Sequence, residues 1–312
     1  MNLFKKMNIT LMLTCCFSVT VIFLILKNDF RIIRHFVLKN LDTMDHYENH
    51  NADIRRMGLM IQQSLTPLHK LARYHSDVTE SKFNAVLASF PHINQPNLLG
   101  QTPLHFAAIA RNITLVKLLI AAGADPKIQE GSFAGGNTAL QLMFAKADFK
   151  AHAFGKEIEE KLELEIMKLI IATGMPLEIK NDKGHTLLSL AARKGKRLAI
   201  QYLLSQGAHV NCKSIHNNTP LMVTIINHTQ RSPRFDCVQD LIAANADLNN
   251  QNNFGESALH FAAQVGAHDI IDLLLKAGAD QSIKNEAGQT YQDVLDLNNR
   301  KLQILTTTEI GR

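Results

Sequence analysis

Thr102-Pro103-Leu104-His105-Phe106-Ala107-Ala108, followed by Leu115-Val116-Lys117-Leu118-Leu119-Ile120-Ala121-Ala122-Gly123-Ala124-Asp125, reads as one complete structural unit. Thr102 is a helix-capping residue, and Pro103 fits the first turn, where no backbone donor is lost. Leu104, Ala107 and Ala108 fall on one face of this short helix. A second helix carries Leu115, Leu118, Leu119 and Ala122 at three- and four-residue spacings, and Gly123 supplies the left-handed residue that ends it. Neither helix is long enough to bury its apolar face alone, so the unit predicts copies of itself on either side.

The copies are present. The opening Thr or Ser recurs at Thr66, Thr102, Thr138, Thr186, Thr219, Ser257 and Thr290, at spacings of 36, 36, 48, 33, 38 and 33 residues. Ser257-Ala258-Leu259-His260-Phe261-Ala262-Ala263 through Gly278-Ala279-Asp280 repeats the first unit closely. This pattern resembles the ankyrin repeat, in which T-P-L-H-x-A-A opens a helix pair that closes on G-A-D and a finger-like turn. The resemblance implies an all-α solenoid of helix-turn-helix units, six repeats and a partial seventh. It further implies that a protein partner sits on the finger turns and the concave face of first helices. Lys183, Arg193, Lys194, His216, Asn217, Phe254 and Gln264 occupy variable finger or first-helix positions in that scheme and are the expected contacts. His69, His105 and His260 share one repeat position, where the family uses the imidazole to bond backbone between units.

Function is to be sought where the copies differ. The first repeat lacks Gly-Ala-Asp, has Pro91 after its second helix and reads as an N-terminal cap. The third opens on Gly131-Ser132-Phe133-Ala134-Gly135-Gly136, a finger and not a phosphate loop, because no Lys-Ser or Lys-Thr follows the glycines. Its extra residues, around Lys146 to Lys161, predict a lengthened second helix with a solvated acidic head at Glu157, Glu159, Glu160, Glu163 and Glu165. The fourth repeat holds the densest basic group, Lys180, Lys183, Arg193, Lys194, Lys196 and Arg197. In the fifth, Met222 replaces the repeat His and Asn245 the helix-ending Gly.

The net charge of +5, without a basic run interleaved with aromatics, excludes a nucleic-acid reading. Cys15, Cys16, Cys212 and Cys237 form neither a disulfide framework nor a paired zinc motif. H-E-x-x-H, G-x-S-x-G and nucleotide fingerprints are missing, so no catalytic residue, metal, cofactor or small-molecule substrate is expected. An enzyme would need its site in the third-repeat insertion or the linker.

Met7 to Leu26 runs without one charge. Twenty helical residues span about 30 Å, the thickness of a bilayer core. The run exceeds the roughly 7–15 residues of a signal core, and the first alanine of the chain is Ala52, so a retained single-pass anchor is expected. Lys27, Arg31, Arg34 and Lys39 follow it, against Lys5 and Lys6 before it, which favours repeats facing the cytoplasm. Secretion, as of a bacterial effector binding host proteins, is the alternative. The expected organisation is 1–27 anchor, 28–63 juxtamembrane segment and linker, 64–300 repeat array and 301–312 frayed tail.

Overall fold

The computed structural model describes residues 58–74, 78–132, 134–145, 156–228 and 234–310. The membrane span expected at 7–26 lies outside them, as do Cys15, Cys16 and most of the third-repeat insertion; among the described residues no helix is long and apolar enough to cross a membrane.

Among the described residues, six helix pairs and a closing helix follow one another: α1 (Pro67–Tyr74) and α2 (Glu80–Ser89), α3 (Pro103–Ile109) and α4 (Ile113–Ala121), α5 (Ala139–Ala145) and α6 (Lys156–Ile171), α7 (Leu187–Lys194) and α8 (Arg197–Ser205), α9 (Pro220–Ile226) and α10 (Phe235–Ala243), α11 (Ala258–Val265) and α12 (His268–Lys276), then α13 (Tyr291–Ile310). The first helices α1, α3, α5, α7, α9, α11 and α13 pack in sequence as one layer. From α4 onward the second helices form the other layer. A single apolar cluster from Leu68 to Leu295 runs between the layers, so each unit is buried by its neighbours, as a solenoid requires. This is the expected all-α repeat array. α13 continues to Ile310, into the segment expected to fray.

The repeat histidines join the units. Thr102 N donates to His105 Nδ1 at 3.1 Å, which makes Nδ1 the unprotonated ring nitrogen; Nε2 therefore carries the proton and donates to Asn137 O, 3.1 Å away in the next finger. His69 reaches Gln101 O at 2.7 Å and His260 reaches Gln289 O at 2.9 Å in the same manner. Gln141 holds this position in the third repeat and substitutes chemically: Oε1 accepts from Thr138 N, and Nε2 donates to Ile179 O and His185 O.

α6 is the departure. It has 16 residues where α4, α8, α10 and α12 have nine each, as the insertion predicts. Its acidic face is only partly solvated, which corrects the sequence expectation. Glu157 pairs with Lys161 at 2.8 Å in water, but Glu163 is 2% exposed. Glu163 accepts from Arg111 at 2.7 Å and lies 3.1 Å from Lys196 Nζ, while Glu159 also pairs with Arg111. Arg111 follows α3 and Lys196 precedes α8, so this cluster links repeats two, three and four.

Candidate functional site

Each finger is built by a short polar sequence that fixes its tip. Asn181 Oδ1 accepts from the backbone of Lys183 and His185, and Asn252 Oδ1 accepts from Phe254 and Glu256, all at 2.9–3.0 Å. Neighbouring tips are joined through backbone: Ile215 N donates to Lys183 O at 3.2 Å, Asn253 N to His216 O at 3.1 Å, and Glu286 N to Phe254 O at 2.9 Å. Close approach to the next finger explains the glycine after the tip at Gly184 and Gly255. At Gly184, with φ of 70°, an added Cβ would lie 2.7 Å from Ile215 N. Asn217 holds the equivalent place in the next finger at φ 58°, a conformation Asn tolerates.

The expected contact residues divide into two groups on this frame. Lys183, His216 and Phe254 stand exposed on three successive fingers, and Arg193 and Lys194 half-buried in the last turn of α7. Asn217 and Gln264 are engaged within the protein: Asn217 Nδ2 donates to Asn253 Oδ1 at 2.6 Å, and the Gln264 amide donates to Glu256. Sequence reasoning missed Ile215, which is 58% exposed, as Phe254 is. Aligning Ile215-His216-Asn217 with Asn253-Phe254-Gly255 would have placed it beside a finger tip.

Electrostatically the centre of this surface is positive. Burial first, then the charges of Arg193, Lys183 and His216, push the His185 imidazole down to about 4. His185 Nδ1 is buried without a hydrogen-bond partner. Arg234 adds a further cation, donating through Nη1 to Ala192 O near the end of α7.

Nothing in the described cysteines suggests a nucleophile. Burial pushes the thiols of Cys212 and Cys237 up to about 11, and Cys212 Sγ rests 3.0 Å from the Thr186 hydroxyl. Among the described residues no group of three or more metal-ligating side chains occurs.

The family models for ankyrin repeats match residues 91–142, 158–252 and 229–292. The mouse B-cell lymphoma 3 protein homolog is 29% identical over 80% of this chain and 54% of its own, so the chain spans about half the length of that relative. The crystal structure of the ankyrin repeat domain of Bcl-3, a unique member of the IkappaB protein family, superposes with a TM-score of 0.59 at 26% identity, covering 74% of this chain and 97% of the other. The human ASB11 ankyrin repeat domain, 19% identical over 74% of this chain and 91% of its own, shares the fold with a TM-score of 0.58.

Proposed function

The chain belongs to the ankyrin-repeat family, and from that premise we propose that it is a membrane-tethered, non-catalytic module that binds a protein partner through the fingers and first helices of repeats four to six. The observation that carries the proposal is the finger row itself. Tips fixed by internal hydrogen bonds hold Ile215 and Phe254 largely in water, and fixed apolar groups beside polar ones are the usual anchors of a binding surface. Lys183, Arg193 and Lys194 contribute charge and His216 a polar ring, while Asn217 and Gln264 are held within the fingers. Similarity to Bcl-3, itself an ankyrin-repeat protein, supports a binding role.

Residues 7–26 supply the anchor, with the repeats on the cytoplasmic side; the uncharged apolar run and the four cations after it support this. Alkaline carbonate washing of membranes from cells expressing the full chain tests the anchor, and protease treatment of intact cells tests its orientation. The full-length chain is expected to stay in the washed membrane, protected from external protease. A shortened soluble chain beginning near residue 27 would overturn tethering, and digestion from outside would reverse the orientation.

A further inference from the structure

Within the fourth repeat the cations divide into two kinds, Lys196 and Arg197 being paired and others not. Arg111, Lys117, Lys161, Lys196 and Arg197 all pair with carboxylates. Lys183, Arg193 and Lys194 form no ion pair among the described residues. Arg193, Lys194 and Arg234 gather at the C-terminal end of α7, whose dipole supplies only about half a negative charge against three positive ones. Of the finger carboxylates, Glu256 is engaged with Gln264 and Asn252.

Beside Lys183, whose carbonyl accepts from Ile215 N, the fingers carry two apolar side chains that stand largely in water. Ile215 and Phe254 sit on consecutive fingers, locked together by Asn253, whose backbone N donates to His216 O and whose Nδ2 donates to Ile215 O at 3.3 Å. A surface already rigid loses little entropy when it is occupied. Five described groups, three charged and two apolar, are thus presented to one occupant.

We propose that this surface takes an extended, carboxylate-rich segment of a protein partner, with its acids against Lys183, Arg193 and Lys194 and one apolar side chain between Ile215 and Phe254. The proposal rests on the binding-module reading and names the partner's chemistry. A peptide chain can carry both kinds of group at adjacent positions. A polynucleotide would call for a longer basic stripe with several stacking aromatics, and the chain has a net charge of only +5. Burial first, and then the same positive surroundings, depress the His185 imidazole, and a bound carboxylate would offset the second of these.

The test is selection of a random twelve-residue peptide library on the immobilised full chain, beside the Lys183→Glu/Arg193→Glu and Phe254→Ala variants, each checked for an unchanged thermal transition. Selected peptides are expected to be enriched in Asp and Glu around one apolar residue. Their affinity should fall on the order of tenfold for Phe254→Ala and further for the charge reversal. It should also weaken as salt is raised, since exposed charges are screened over about 8 Å at physiological ionic strength. Neutral or basic selected peptides, or acidic ones indifferent to the charge reversal, would overturn the proposed partner chemistry and leave the module reading standing. Selection of no peptide, with binding instead to phosphatidylserine vesicles or to an oligonucleotide, would overturn both.

Discussion

His105 shows how one side chain can settle the register of two repeats. Its ring receives a backbone N–H from its own repeat and gives a proton to a carbonyl in the next, so both nitrogens are used and both partners lie away from water. Gln141 performs the same exchange with an amide, which predicts that His105→Gln costs about 1 kcal/mol and His105→Leu, which strands both buried partners, about 2–3 kcal/mol. Urea unfolding of the two variants measures the difference. These histidines were legible in the sequence because they recur in register. The engagement of Gln264 was not, because its partner Glu256 belongs to the finger and only the folded turn brings them together.

His185 belongs to the same scale. Its ordinary pKa is 6.5 and the fold lowers it to about 4, so between these values the unfolded chain binds the extra proton. Stability contributed by His185 is therefore complete above about pH 6.5 and is lost as the pH falls towards 4. His69, depressed by burial against its bond to Gln101, acts in the same direction. Denaturant midpoints measured across this window should fall less steeply for His185→Gln than for the parent, and NMR of the imidazole should find it neutral at pH 5.5.

At the scale of the element, α6 carries the lesson. Its length was predicted by the 48-residue interval and its apolar stripe by the helical period, both of which are local in sequence. Its acidic face was read as solvated because nothing local to Glu163 announces Arg111, 52 residues earlier, or Lys196, 33 residues later. A nearly fully buried carboxylate between two cations leaves an uncompensated charge if one partner is removed, at a cost of about 3–5 kcal/mol. Glu163→Ala is accordingly expected to lower the urea midpoint strongly, whereas Glu157→Ala, whose pair with Lys161 is in water and screened, should leave it nearly unchanged. Because Glu163 joins three repeats, its loss should also broaden the transition, with repeats one and two separating from the rest.

On the scale of the whole molecule, the array is a scaffold whose recurring pattern builds the stack, while Lys183, His216 and Phe254 differ from finger to finger and face outward. The repeat count, the two-layer order and the finger turns followed from one motif, since each unit needs its neighbours for burial. The surface was legible in part: Phe254 and the cations of the fourth repeat were picked out by position, while Ile215 was hidden by the Asn217 that replaces the usual glycine of its finger. The central claim is that this finger row is where a protein partner docks. A photo-crosslinking benzophenone side chain placed at position 254 of the full chain in cells expressing it tests it, with the same group at position 276 on the opposite layer as control. The account predicts a discrete protein adduct from position 254, abolished by Lys183→Glu/Arg193→Glu, and none from position 276; equal labelling at both positions, or none at 254, would contradict it.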